Sequence, residues 1–213
     1  MLILHDYLPS QNAWKVRQLL ALLEIEYEQR PVSIFEGEGQ TPGFLAKNPV
    51  GAVPVLELED GRCLPESNAI LWYLADGSDY LPTDAWQRAQ VQRWLYFEED
   101  VVQNGVAAYR HWSLTGKLAR RSAEAIAGKA AASQKALGIL DHALESDAFL
   151  VDSRYTIADI SLVAYIGFLE GTDLSLEGFP NVMRWIETIR HQPGFLAETH
   201  PYSSDPHSAN ELP

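Results

Sequence analysis

The spacing of apolar positions changes character once along the chain, near residue 84. Before that point short alternating runs are interleaved with helical spacing. Residues 2–6 predict a strand, and after the loop 7–12 Val16, Leu19, Leu20 and Leu23 recur on one helical face. Residues 25–32 predict a second strand at the separation of a βαβ unit. A glycine-broken loop over 35–40 leads to Thr41-Pro42, which opens a short helix over 41–46. A strand over 54–58, a turn at Asp60-Gly61 and a strand over 62–64 form a hairpin. A helix over 67–75, with Ile70, Leu71 and Leu74 inward, closes the unit.

The stretch 76–83, rich in Asp, Gly, Ser and Pro, is a linker. Beyond it strand signals cease. Residues 85–112 predict one long helix rich in aromatics, and 117–146 a second that is rich in alanine. The third, over 156–168, is apolar nearly all round and so belongs at the centre of a bundle. Thr156 and Asp159 have capping-box spacing, and Tyr155 can staple onto Ile160. A fourth helix covers 180–190, and Phe195-Leu196 adds a last turn. The expected organisation is an α/β domain over 1–79, an all-α domain over 85–200 and a polar, flexible tail over 201–213.

Composition narrows the function. The profile is that of a soluble globular protein, with 46% hydrophobic and 21% charged residues. A net charge of −13, shared between the two halves, argues against nucleic acid, which needs a basic face. No apolar run reaches bilayer length and no secretory leader is visible, so neither membrane attachment nor export is expected. Cys63 is the single cysteine, which excludes an internal disulfide framework and places the chain by default in the cytoplasm. The histidines are scattered without ligand spacing, so no metal site is expected.

Two short stretches carry the candidate chemistry. Pro54 lets a strand begin but not run through it, and Val53 before it is pushed extended, offering its backbone to a ligand alongside. Glu66-Ser67 set a carboxylate, a hydroxyl and free backbone donors at a helix start, where small charged groups bind. Together these form half of a pocket for an extended, peptide-like ligand.

Four motifs in order then resemble the soluble glutathione S-transferase family over most of the chain, from Leu2 to about Leu196. They are Ser10-x-Asn12-x-x-Lys15-Val16, Phe44-Leu45-x-x-Asn48-Pro49-x-Gly51-x-Val53-Pro54-x-Leu56, Glu66-Ser67-x-Ala69-Ile70 and Thr156-Ile157-Ala158-Asp159-Ile160. The resemblance implies a thioredoxin-like N-terminal domain, an all-helical C-terminal domain, a homodimer and a cis peptide at Val53-Pro54. It also implies glutathione as co-substrate, whose thiol near pKa 8.5 must be held as thiolate.

For that task the resemblance to serine-type members puts Ser10 first and Asn12 second. Tyr7 is the runner-up, since another branch uses a tyrosine after the first strand. Capping is the competing role for Ser10 and Asn12. Glu66 carries over as partner of the γ-glutamyl ammonium and Ser67 of its carboxylate, with Val53 and Pro54 along the cysteinyl unit. At the glycyl end the chain departs from many relatives, which place lysine or histidine in or beside the Gly51–Val53 stretch where this chain has Ala52. Gln40 or Lys47 are the substitutes. Tyr96, Tyr109 and Trp112 are the candidates for a hydrophobic electrophile site, and Phe97 lines up with them. The activities this implies are conjugation of glutathione to hydrophobic electrophiles or, alternatively, glutathione-dependent peroxidase or disulfide reductase chemistry. A non-catalytic binding or stress protein of the same fold is the third reading.

Overall fold

A computed structural model describes residues 1–212 of the chain. They divide into two compact units, one formed by Met1–Asp76 with the segment from Leu196 onward, the other by Gly77–Phe195.

In the first unit β1 (Leu2–Asp6) and β2 (Tyr27–Pro31) pair in parallel, joined through α1 (Gln11–Leu22). β3 (Val55–Glu57) runs antiparallel to β1, and β4 (Cys63–Pro65) antiparallel to β3, giving the order β2-β1-β3-β4. Strand alternation decides what each face buries. Leu4 lies opposite Leu56, and both join Val16 and Leu20 of α1 and Ile70 of α3 (Ser67–Ala75) in one fully buried cluster. One residue on, Val55 turns to the other face and packs with Val32 and with Phe44 of α2 (Pro42–Leu45). Half-buried Cys63 packs against this second cluster, and burial pushes its thiol pKa up, as fits a packing residue.

Helix starts follow their caps. Ser10 accepts from the Ala13 amide at α1, and Thr41 from the Phe44 amide at α2, with Pro42 in the first turn. The Val53-Pro54 peptide is cis. Behind the sheet's β1 end, Arg17 of α1 grips both oxygens of buried Asp6 at 2.7 Å and the Leu8 carbonyl at 2.9 Å. Gln29 of β2 adds a bond to the same carboxylate. The loop between β1 and α1 is thereby pinned at its base.

The second unit is helical. α4 (Ala85–Phe97) starts at the Asp84 cap, which accepts from the Gln87 amide. The single long helix expected over 85–112 is continuous but changes its hydrogen bonding: Glu98–Ala107 is wound as a π-helix before α5 (Ala108–Leu114) resumes. Two features accompany the wider winding. Fully buried Glu98 accepts from Gln103 at 2.9 Å and from Ser161 at 3.3 Å. Gly105 lies so close to the next helix that a Cβ there would stand 3.0 Å from the Ser133 amide nitrogen.

The second long helix also starts later than its alanine content suggests. Gly116 turns the chain at φ 70, a short 3-10 turn covers Lys117–Arg120, and Ser122 caps α6 (Ala123–Ala143). α7 (Ile157–Ile166) is buried along its whole length and opens with the expected capping box between Thr156 and Asp159. Asp159 does more than cap. Its carboxylate, fully buried, also accepts from the Leu150 amide and from the indole of Trp185 on α8 (Pro180–Arg190). Burial pushes its pKa up to about 6, against the donors that favour its charged form. Tyr155 meets Phe149 at a 35° tilt and Tyr80 edge-on.

Candidate functional site

The pieces of the site in the first unit can be built outward from α1. Ser10 is half-buried at its first turn, tied by its amide to the Tyr7 carbonyl at 2.8 Å. Its Oγ accepts from the Ala13 amide at 3.3 Å, which leaves the hydroxyl proton to give elsewhere. The helix N-terminus adds positive potential at the same spot. An anion set beside Ser10 therefore meets an O–H donor and a favourable dipole.

Tyr7 is differently engaged. Its hydroxyl donates to Asp205 at 2.8 Å, and its ring meets Phe35 edge-on at 5.6 Å and Tyr202 at 6.3 Å. Burial, with Asp205 beside it, holds the phenol far above its ordinary pKa. The Tyr7 hydroxyl keeps its proton and directs it at Asp205.

Asn12 and Lys15 stand at i, i+3 on α1 and so share a face. Both reach the start of α3: the Asn12 Oδ1 accepts from the Ser67 hydroxyl at 3.3 Å, and the Lys15 ammonium lies 3.4 Å from the same Oγ. Lys15 is fully buried, so an ammonium sits beneath the first turn of α3. Within the motif Ser10-x-Asn12-x-x-Lys15-Val16 nothing but position points to this role for Lys15. Its spacing from Asn12 was the available signal.

Glu66 occupies the cap position of α3 with φ 70 and makes no capping bond. An L-residue held there costs of order 1–3 kcal/mol, a conformation that recurs at ligand-binding sites. Its exposed carboxylate stays clear of the helix, next to buried Ser67.

The Val53 side is organised by Asn48. Buried Asn48 donates to the Ala52 carbonyl at 2.8 Å and accepts from the Val50 amide at 3.0 Å, fixing the turn that delivers Val53 and buried Pro54 to β3. Gly51, at φ 75, packs directly against the Gln40 side chain and against Gly39. Gln40 is thus brought beside the 51–54 stretch. Lys47 is not: its ammonium pairs with Glu57 at 2.6 Å, which also binds buried His5 at 2.8 Å. These two partners hold Glu57 down at about 2.

In the second unit Tyr109 is buried on α5, and Trp112 on the same helix lies 5.0 Å beneath the Arg121 guanidinium. Tyr96 stands exposed on α4, its hydroxyl accepting from Gln92. Tyr109 and Trp112 share a helix, while Tyr96 lies on the far side of the π-wound stretch.

Among the described residues no group of His, Cys, Asp and Glu could hold a metal ion, and no helix is long and apolar enough to cross a membrane.

Residues 1–76 match the family model described as "Glutathione S-transferase, N-terminal domain", and 91–193 match its C-terminal counterpart. The chain is 34% identical to glutathione S-transferase 1 of Schizosaccharomyces pombe over 171 residues, spanning 75% of this chain and 72% of that protein. A crystal structure of a glutathione S-transferase from Pseudomonas fluorescens superposes with TM-score 0.89 at 37% identity, covering 92% of this chain and 97% of that one. The chain belongs to the glutathione S-transferase family. The four-stranded mixed sheet followed by helices is the glutathione S-transferase fold, thioredoxin-like in its first unit. Elongation factor 1-gamma of Homo sapiens is a further relative, 30% identical over 205 residues; that match takes in 91% of this chain but only 45% of the factor's own length.

Proposed function

We propose that this glutathione S-transferase homologue binds glutathione on its first unit, stabilises the thiolate and adds it to hydrophobic electrophiles. The observation that carries the reading is the convergence of Asn12 and Lys15 on Ser67, beside a Glu66 carboxylate that is held out of any capping role. An amino acid end needs these groups: a carboxylate takes the Ser67 hydroxyl proton in place of Asn12 and meets the α3 amides, with the Lys15 ammonium beneath, while its own ammonium meets Glu66. Val53 pairs its backbone with the cysteinyl unit as an added strand does, and Pro54 sets that edge. The thiol proton leaves to solvent, and the Ser10 hydroxyl, keeping its own proton, donates a hydrogen bond to the sulfur with Asn12 as the supporting polar group.

Ser10 is preferred to Tyr7 as the thiol donor because it stands at the start of α1, where its hydroxyl and the helix dipole act on the same anion. Tyr7 lies three residues earlier in the loop and turns its hydroxyl to Asp205. At the glycyl end, Gln40 takes the contact and Lys47, bound to Glu57, does not. Catalysis consists of lowering the thiol pKa and holding the reactants together. Tyr109 and Trp112 supply apolar contact for the electrophile, with Tyr96 at the margin. The protein works in the cytoplasm as a homodimer, without metal.

The experiment is a calorimetric titration with glutathione, comparing wild type with Glu66→Ala. Saturable binding that the variant weakens supports the reading, and no binding by wild type ends it. Turnover with peroxides or small disulfides, but not aryl halides, would move the assignment to the reductive chemistry of the same site. A second reading, a non-catalytic binding module, is favoured by one finding, the match of nearly the whole chain to elongation factor 1-gamma. Glutathione binding without turnover on any of these substrates would establish it.

A further inference from the structure

Residues 201–212, polar and proline-punctuated, belong to the first unit and meet Tyr7 in the loop that leads to Ser10. Its entry is fixed upstream by α1: the Trp14 indole donates to the Leu196 carbonyl at 3.2 Å, and the Leu196 amide donates to Gln18 at 2.8 Å. A short turn at Tyr202–Ser204 follows. Asp205 then divides its carboxylate. One oxygen accepts from the His207 amide and shapes the next turn, and the other accepts a hydrogen bond from the Tyr7 hydroxyl. Tyr202 lies against the Tyr7 ring, and His207 approaches Glu36 at 3.4 Å.

We propose that residues 201–212 form a strap over the thiol end of the glutathione site, latched by Tyr7 and Asp205, which glutathione must displace to be held as thiolate. The inference rests on the glutathione reading above.

Charge gives the direction. Asp205 brings an anion to Tyr7, whose carbonyl receives the Ser10 amide. A carboxylate near a sulfur opposes its ionisation. Docked strap and bound thiolate therefore weaken one another, and the coupling is reciprocal. The latch is also of the right strength to open. The hydrogen bond to the charged acceptor by itself shifts the closed-to-open ratio by roughly ten- to a hundredfold, and the Tyr202 ring and the His207–Glu36 contact add to it.

The test uses the full chain and two readouts. In the first, chymotryptic cleavage at Tyr202 is followed for wild type, Tyr7→Phe, Asp205→Ala and the double variant. Each single change should speed cleavage roughly tenfold, and the double variant should cleave no faster than either single one. Saturating glutathione should speed cleavage of wild type and leave Asp205→Ala unaffected. In the second, calorimetry should show Asp205→Ala binding glutathione several-fold more tightly than wild type, since less of the protein is closed.

Single variants that cleave at the wild-type rate would overturn the latch. Glutathione that slows cleavage, or binds Asp205→Ala no better than wild type, would overturn the occlusion while leaving the glutathione reading intact. Failure of both proteins to bind glutathione would overturn that reading and the occlusion with it, and the cleavage rates alone would then judge the latch.

Discussion

The hydroxyl of Ser67 lies 3.4 Å from the Lys15 ammonium, a contact between residues 52 positions apart in which a fully buried cation is brought to a helix start. A helix start alone offers amide donors. With Lys15 beneath it, the same start offers donors and a formal charge in a place screened from water, where each is worth more. Removing the hydroxyl that relays the two should therefore be felt mainly by an anionic ligand. Ser67→Ala should weaken glutathione binding about tenfold, or ~1.4 kcal/mol, in calorimetry, because one charge-assisted contact is lost.

Ser10 has a proton to spare at the start of α1, whereas the Tyr7 hydroxyl points to Asp205 as long as the strap is docked. Ser10→Ala should raise the pKa of bound glutathione's thiol by about one unit, worth ~1.4 kcal/mol, read as thiolate absorbance against pH. Conjugation to an aryl halide near neutral pH should slow in step. Tyr7→Phe should leave that pKa no higher than wild type. If Tyr7→Phe raises it and Ser10→Ala does not, the two roles are reversed.

Glu57 makes the first unit acid-sensitive. Lys47 and His5 bind its carboxylate and hold its pKa at about 2, below the ordinary 4.5. A carboxyl whose pKa is lower folded than unfolded adds stability above the unfolded value and loses it as pH falls through the folded one. Stability from this cluster should thus be complete above 4.5 and drain away toward 2. Urea midpoints measured across that interval should fall less steeply for Glu57→Gln than for wild type.

Asp159 gathers donors from three places: the Thr156 amide and hydroxyl, the Leu150 amide and the Trp185 indole. Asp159→Ala leaves them buried without an acceptor and should cost about 3–5 kcal/mol in denaturant unfolding. Trp185→Phe removes one donor along with its bond and should cost markedly less. Equal losses for the two would mean that packing around the indole, not the carboxylate, holds this corner together.

Much of the fold was legible because its signals are local. The strand alternation at Leu4, the caps at Ser10 and Thr41 and the Thr156–Asp159 box each depend on residues within a turn of one another. The π winding after Phe97 was not legible, since it goes with packing partners such as Ser161 and the backbone near Ser133, far off in sequence. The site divides in the same way. Glu66 and Ser67 show themselves as a helix start, whereas the Arg17 grip on Asp6, the diversion of Lys47 to Glu57 and the capture of Tyr7 by Asp205 are long-range polar contacts. No periodicity announces a hydrogen bond between residues 198 positions apart.

Gly39 and Gly51 touch with nothing between them: a methyl group added to either would strike the other's backbone. The loop that carries Gln40 and the loop that delivers Val53 are consequently one mechanical body, hinged together where neither has a side chain to yield. A ligand that pulls on Gln40 at one end therefore tugs on the Val53 edge as well. Substrates that differ only at their glycyl end should then be told apart in part by how well their middle is gripped.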